Sequence, residues 1–335
     1  MRIEFALPDD LTDRFSFRAG QHLIFRADID GREERRSYSI CSIAGEPLSV
    51  VVKLVGDGLF SAYLHATVTP GVALEAMPPC GQFVIDFEPG RAREHLAIAA
   101  GSGITPIISM VRTILLVEPE SSVTLLYGNR SSSSVIFRQA LADLKDRYLS
   151  RLTVLHVLSR EPQQVPLFDG RIDADKIAAL CQGMIDAPAL AGAYLCGPHS
   201  MIEASRSALL AAGLAPERIR SELFSAGALA PRRPRPVEPD SHCQVSIKHD
   251  GVTRQFDMPE GGISLLDAAL AQGFDLPYSC KSGVCSTCRA KCTQGAVEMD
   301  ANFALEDYEV AQGFVLSCQS FPTTPMVQLD YDATI

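Results

Sequence analysis

Cys280-Lys-Ser-Gly-Val-Cys285-Ser-Thr-Cys288, answered far downstream by Cys318 in Val315-Leu-Ser-Cys-Gln319, is the stretch that decides how this chain is read. The spacing C-x4-C-x2-C…C is that of a plant-type [2Fe-2S] centre, in which thiolates neutralise ferric charge and bind a soft metal. Small residues at Ser279, Ser282, Gly283 and Ser286 let backbone N–H groups approach the sulfides. A zinc ribbon would need two close knuckles, and Cys318 has no near partner in sequence. Cys280, Cys285, Cys288 and Cys318 are therefore the expected metal ligands. Cys292 stands in Ala-Lys-Cys-Thr and reads as a buried structural thiol, while Cys41, Cys80, Cys181 and Cys243 read as small packing residues.

Around this centre the chain predicts a compact α+β module. Cys243 to His249 and Val252 to Met258 flank Asp250-Gly251, a hairpin signal, and Ser264 caps a helix that ends at Gly273. Upstream, Gly227 to Ser241 holds Pro231, Pro234, Pro236 and Pro239 without apolar periodicity, which predicts a semi-extended linker. Before it, strand-like runs at Leu96 to Ala100, Val123 to Tyr127, Leu152 to Leu158 and Ala193 to Cys196 alternate with helical stretches and predict a parallel α/β sheet. At the start, short β-type runs at Leu23 to Phe25, Ser37 to Ile40, Leu48 to Val55 and Phe83 to Ile85 predict a small barrel. The expected division is thus a barrel at 1–92, an α/β domain at 93–226, a linker at 227–241 and a ferredoxin-like module at 242–335.

Composition excludes other classes. The 335 residues exceed what one core usually serves, and 47% of them are apolar. A net charge of −10, with no basic block, argues against nucleic acid as a partner. The apolar stretch from Leu96 to Val117 is interrupted by Gly101, Ser102, Gly103, Thr105, Pro106 and Arg112, so it reads as strand, turn and helix rather than a membrane span. The N-terminus lacks the long apolar segment of a secretory signal, which places the ten cysteines in a reducing cytoplasm. Charge is unevenly spread: residues 242–335 hold 12 Asp/Glu against 5 Lys/Arg, whereas residues 1–241 hold 28 against 25.

Several glycine-rich turns follow predicted strands. Gly101-Ser102-Gly103 permits close backbone approach before Thr105-Pro106 opens a helix, where a pyrophosphate could dock. Tyr127-Gly128-Asn129-Arg130 is expected at the end of the next-but-one sheet strand, and Cys196-Gly197-Pro198 at the end of the fourth, both at the crevice where open α/β sheets bind ligands. In the β region, Arg36-Ser37-Tyr38-Ser39 supplies a cation, an aromatic face and a hydroxyl. Lys53, Gly58 and Ser61 surround an expected helix start that offers a second place for phosphate oxygens. Arg130, Ser131 to Ser134 and Arg138, with no acidic residue where a ribose diol would be read, suit a 2′-phosphate and predict NADPH over NADH.

Taken together, Arg35-Arg-Ser-Tyr-Ser-Ile-Cys41, Ala97-Ile-Ala-Ala-Gly-Ser-Gly-Ile-Thr-Pro106, Tyr127-Gly-Asn-Arg130, Phe137-Arg-Gln-Ala-Leu-Ala-Asp-Leu-Lys145, Cys196-Gly-Pro198 and Gly313-Phe-Val-Leu-Ser-Cys-Gln319 resemble the ferredoxin–NADP reductase superfamily with an appended ferredoxin. Within it the chain resembles the reductase components of phenylacetyl-CoA epoxidases, and reductases of aromatic-ring dioxygenases and other di-iron monooxygenases share most of these motifs. The resemblance implies an antiparallel flavin-binding β-barrel, a Rossmann-like α/β nicotinamide-binding domain and a C-terminal β-grasp ferredoxin domain. It implies that Arg36, Tyr38 and Ser39 hold FAD, with Ser39 near the flavin N5, that Cys196 lies by the nicotinamide C4, and that Glu222 and Phe224 flank the flavin ring. It implies further an electron-transfer reductase that passes electrons from NAD(P)H through FAD and the cluster to the oxygenase component of a multicomponent monooxygenase. The family usually carries one more β-strand before the position at which this chain begins, so the barrel is expected to be incomplete. A one-electron carrier without flavin is the alternative that such a barrel would leave.

Overall fold

The structure, a computed structural model, describes residues 1–56, 58–224, 242–259 and 261–334. The linker expected at 227–241 lies outside the described residues. The chain divides into two compact units, Met1–Phe224 and Ser225–Ile335.

The first unit begins with β1 (Arg2–Glu4), β2 (His22–Ile29), β3 (Arg32–Ser39), β4 (Ser49–Val51), helix α1 (Leu59–Thr67) and β5 (Glu75–Cys80). Strands β3-β2-β5 form one antiparallel sheet and β1-β4 another, and a bridge between Ile40 and Val50 joins them. The two curl around Leu23, Phe25, Ile40, Val50, Val52, Phe60 and Leu64, all buried. Among the described residues β1 and β5 pair with no further strand on their outer edges, so the barrel stays open there.

Two expectations need correction. Leu48 to Val55 is strand only at Ser49–Val51. Phe83-Val84-Ile85 is not a strand but a buried connector: Val84 and Ile85 carbonyls accept from the guanidinium groups of Arg220 and Arg18 instead of from a neighbouring chain. The barrel strand is β5, whose Pro78 and Pro79 hide it in the sequence. It is an edge strand, and its register slips between His22 and Ile24, where proline is tolerated.

The α/β sheet follows with β6 (Glu94–Ala100), α2 (Ile104–Val117), β7 (Ser122–Asn129), α3 (Arg138–Arg147), β8 (Leu152–Leu158), α4 (Ala174–Gly183), β9 (Gly192–Cys196), α5 (His199–Ala211) and β10 (Ile219–Glu222). All five strands are parallel in the order β10-β9-β6-β7-β8. β7 is therefore the direct neighbour of β6, not the next but one. The chain runs outward from β6 to β8 and then returns to β9 on the other side, which puts the switch point between β6 and β9. The stretch from Leu96 to Val117 is strand, turn and helix as expected. Its helix is apolar because it is buried on most sides: Ile104, Ile107, Ile108, Val111 and Ile114 are all inaccessible.

The second unit comprises β11 (His242–His249), β12 (Val252–Pro259), α6 (Leu265–Ala271), β13 (Arg289–Gln294), β14 (Val297–Met299), α7 (Asp307–Ala311), β15 (Phe314–Leu316), β16 (Ser320–Pro322) and β17 (Met326–Asp330). The hairpin turns at Asp250 and Gly251, both with positive φ, as a tight primed turn requires. Ser264 accepts from the Asp267 N–H as the N-cap of α6, and Gly273 at φ +74° lets the chain leave it. The five-stranded order β12-β11-β17-β13-β15, with β11 and β17 parallel, is a β-grasp.

A buried charge fastens one end of the α/β sheet. Glu118, after α2, is inaccessible; it receives the Arg93 guanidinium, the Ser121 hydroxyl at 2.7 Å and the Glu88 N–H at 2.9 Å, and faces His95 at 3.3 Å. Burial alone would raise its pKa, but these donors hold the carboxyl down at about 2. A depressed folded pKa stabilises above the unfolded value and loses that stabilisation as pH falls through the folded one. Thermal stability should therefore fall between about pH 4.5 and 2. Glu118→Gln should flatten that slope and cost roughly 1.5–3 kcal/mol at pH 7; equal acid slopes in both proteins would contradict the assignment.

Candidate active site and metal centre

The crevice at the switch point is made by close backbone approach. A Cβ on Gly103 would fall 2.1 Å from the Cys196 carbonyl oxygen, and one on Gly197 would fall 3.1 Å from the Ala100 Cβ. Only glycine allows the turn after β6 and the loop after β9 to meet. Gly101 takes φ +54°, and its carbonyl accepts from the Tyr127 hydroxyl at 2.9 Å. Its missing Cβ leaves a site 3.8 Å from the Lys53 ammonium, so Lys53 of the barrel reaches the dinucleotide turn. Thr105 donates to the Ser102 carbonyl at 3.0 Å, and Pro106 sits in the first turn of α2.

Helices α1, α2 and α5 start at Gly58, Gly103 and Pro198 without a side-chain cap, whereas α4 and α6 are capped by Asp173 and Ser264. The uncapped N–H groups, with the helix dipole behind them, fit phosphate oxygens. Ser61 is less available than the sequence suggests: its hydroxyl donates to the Gly58 carbonyl at 3.0 Å and accepts from the Val55 N–H at 3.3 Å.

The barrel side is built on β3. Tyr38 lies 5.5 Å from the Phe25 ring and 6.2 Å from Phe60, half-buried, and burial pushes its hydroxyl up to about 12. Arg36 pairs with Glu34 at 2.9 Å and donates to the Arg35 carbonyl. Ser39 donates to Glu222 at 3.4 Å, so the end of the barrel sheet and the end of β10 meet. Glu222 is in register with Cys196 on the adjacent β9. Cys196 is inaccessible, and burial together with the Glu222 charge raises its pKa well above the usual thiol range, keeping it a neutral thiol. Phe224 is 41% exposed, an aromatic face left open beside this junction. Nothing in the sequence marks β10 as a strand; four residues with three polar side chains carry no apolar signal.

Gly128 and Asn129 close β7 and Arg130 follows, exposed, while Arg138 begins α3. One acidic residue does reach this edge. Pairing of the segments after β7 and β8, through Arg160 N–H to Arg130 carbonyl at 2.8 Å, brings Glu161 in to accept the Ser132 N–H at 2.7 Å. About thirty residues of sequence separate them, so only the sheet reveals the contact.

In the second unit the four expected thiols fall into two neighbouring pairs, Cys280 with Cys285 and Cys288 with Cys318. Among the described residues no group of three ligating side chains converges on one ion position, and two thiols to each of two irons is the distribution the pairs fit. The neighbouring Cys285 thiol, with the Ser282 and Val284 N–H groups, brings Cys280 down to about 5 despite burial. Lys281, Gly283 and Ser286 all take positive φ, which turns the loop's amides inward; a Cβ on Gly283 would fall 2.9 Å from the Ala301 carbonyl. The Ser279 hydroxyl is buried without a partner beside Cys280. Ser317 donates to the Cys288 carbonyl at 2.9 Å and Gln319 to that of Lys281 at 3.0 Å, which fixes Cys318 against the loop. These residues fit a [2Fe-2S] cluster. Cys292 is half-buried rather than buried, on β13, with its thiol directed to the Gln294 carbonyl at 3.4 Å. Cys41 and Cys243 are buried as expected, and Cys80 and Cys181 are half-buried.

Residues 1–85 match an oxidoreductase FAD-binding domain, 97–207 an oxidoreductase NAD-binding domain and 247–323 a 2Fe-2S iron-sulfur cluster binding domain. The chain belongs to the ferredoxin–NADP reductase superfamily, among the oxygenase reductases that carry their own [2Fe-2S] ferredoxin domain. It is 44% identical over 333 residues to a component of the 1,2-phenylacetyl-CoA epoxidase of Escherichia coli (strain K12), covering 99% of this chain and 93% of that one. It is 32% identical to the 3-ketosteroid-9-alpha-monooxygenase ferredoxin reductase component of Rhodococcus rhodochrous, over 98% and 92% of the two chains. The fold is shared with phthalate dioxygenase reductase at a TM-score of 0.54 and 23% identity, over 94% of this chain and 88% of that one. The protein is an NAD(P)H-dependent flavin and iron–sulfur oxidoreductase, with FAD, a nicotinamide dinucleotide and a [2Fe-2S] cluster as cofactors. No described helix is long and apolar enough to cross a membrane.

The paired thiols generate a direct test. Cys318→Ser should abolish the visible and EPR signals of the cluster while NADH or NADPH still bleaches the flavin, and Cys292→Ser should leave both signals intact. A normal cluster in the first variant, or a lost one in the second, would reassign the ligands.

Proposed function

We propose that this chain is the reductase of a phenylacetyl-CoA epoxidase type di-iron oxygenase, working in the cytoplasm with NADPH as its preferred electron source. The meeting of Ser39, Glu222 and Cys196 carries the reading, because it joins the barrel to the switch-point crevice where a nicotinamide and a flavin ring can face each other. FAD, when bound, accepts a hydride and releases its electrons singly, which the protein's own groups cannot do.

Each group then has a part. Arg36, Tyr38 and Ser39 hold FAD, with Lys53, Gly58 and Ser61 around the α1 N-terminus. Gly101, Gly103, Thr105, Pro106, Gly197 and Pro198 seat the dinucleotide pyrophosphate, with Gly128 leaving room beside it. Cys196 lies at the nicotinamide C4, Glu222 and Phe224 flank the flavin, and Cys280, Cys285, Cys288 and Cys318 hold the cluster. The chain divides into a barrel at 1–92, an α/β domain at 93–226, a linker at 227–241 and a ferredoxin domain at 242–335. With 12 acidic against 5 basic residues, the ferredoxin domain suits a basic face on the oxygenase, where opposite charge speeds encounter at low salt.

NADPH preference rests on Arg130 and Arg138, with Arg160 brought alongside. Glu161 adds one negative charge to that edge, but its carboxylate is engaged by the Ser132 N–H and faces Arg138, so cations dominate. Comparison of kcat/KM for the two nucleotides should favour NADPH in the wild type and lose about 1–2 powers of ten of that preference in Arg130→Ala. Equal use of NADH by the wild type would refute the preference. A chain truncated after Ser241 should still reduce ferricyanide with NADPH but no longer support oxygenase turnover; full-rate turnover would take the cluster off the path.

A further inference from the structure

Gln319 follows the last of the four thiols and is 4% exposed, deep for a residue type that mostly stays at the surface. Its side-chain nitrogen lies 3.0 Å from the Lys281 carbonyl, 3.1 Å from the Cys318 carbonyl and 3.7 Å from the Cys318 sulfur. The two carbonyls are acceptors, which sets the amide with its nitrogen rather than its oxygen toward them. That nitrogen carries two protons for three neighbours, so one is held by Lys281 and the other is shared between the two Cys318 atoms. The rest of the residue is hemmed in. A Cβ on Gly283, in the loop that carries the first three thiols, would fall 3.3 Å from the Gln319 Cγ, and the Gln319 carbonyl accepts from the Asp300 N–H at 2.9 Å. The bond to Lys281 is enough to tie the far ligand to the loop. It leaves the second proton, the one directed at Cys318, without a structural purpose.

As an iron ligand, Cys318 is a thiolate, and a hydrogen bond to an ionised acceptor is stronger than one to a neutral carbonyl, so the shared proton turns toward the sulfur. We propose that Gln319 is a positioning residue that also sets the reduction potential of the cluster: its amide donates to the Cys318 sulfur and favours the reduced state. This rests on the reading above, in which Cys318 is a ligand. Reduction adds one electron from the flavin with no bond made or broken, so the negative charge of the centre rises by one. A donor dipole aimed at a ligand sulfur stabilises the more negative state and raises the potential. Cys280 is served differently, by the Ser282 N–H at 3.4 Å, a backbone donor that nearly any residue would supply. The donor to Cys318 belongs to a side chain, so its effect is specific to the residue at this position.

The test uses the full-length protein in an anaerobic redox titration followed by EPR. Gln319→Met keeps the length of the side chain and removes its donors, so the one-electron equilibrium of the cluster should shift about tenfold toward the oxidised state, a fall of about 59 mV in its midpoint. The flavin midpoint should stay where it is, and iron and sulfide per chain should match the wild type. A retained cluster whose potential has not moved would leave Gln319 a structural cross-link and overturn the proposal. The wild type supplies a second readout that decides the matter even where the variant fails to assemble its cluster. With glutamine labelled by ¹⁵N in the side chain alone, pulsed EPR of the reduced protein should show a ¹⁵N coupling, because among the described residues Gln319 is the glutamine whose amide reaches a ligand thiol. A wild-type cluster without that coupling would overturn the proposal as well. Cys318→Ser decides separately whether Cys318 is a ligand, so a failure of that assignment is distinguishable from a failure of the role given to its neighbour.

Discussion

A hydride carries two electrons in one step, and a thiolate-bound two-iron centre takes them one at a time. A chain that connects the two must hold a group capable of both exchanges and must keep the donor and acceptor ends chemically distinct. The division into two compact units answers that constraint. The hydride is taken up in the unit that carries the FAD- and NAD-binding domains, and the centre that exchanges only single electrons belongs to the unit with the four thiols.

Within the first unit, catalysis depends on how tightly barrel and sheet are joined. A Cβ on Gly20 would fall 1.9 Å from the Phe83 carbonyl and 2.4 Å from the Met110 methyl of α2, so the barrel backbone is pressed against the buried helix. Arg18 and Arg220 both donate to carbonyls of the connector. Two residues from opposite ends of this unit, Ser39 and Glu222, can then share a hydrogen bond across 183 positions of sequence. Such a joint favours a fixed distance between the two ring sites over domain motion, since close-packed interfaces deform little.

The sequence makes the chemistry more legible than the geometry. Cysteine spacing, glycine at Gly101 and Gly103, and the Asp250-Gly251 turn each reflect a local constraint that leaves few residue choices, and each is found where its pattern places it. Strands are misread where local pattern and tertiary context disagree. Phe83 to Ile85 is apolar and β-prone, as a strand would be, but arginine side chains satisfy its carbonyls. β5 carries two prolines and pairs on only one side. Glu161 is invisible for another reason: it acts through a partner that lies far along the chain, Ser132. No periodicity encodes such a meeting.

Electrons should reach the cluster only through the flavin site. The most direct test removes the flavin from the full-length protein while its cluster is kept, mixes it anaerobically with NADH or NADPH, and follows the cluster by EPR. The cluster should stay oxidised until FAD is added back and then be reduced, with the flavin bleaching first. Reduction of the cluster at an undiminished rate in the flavin-free protein would contradict that route.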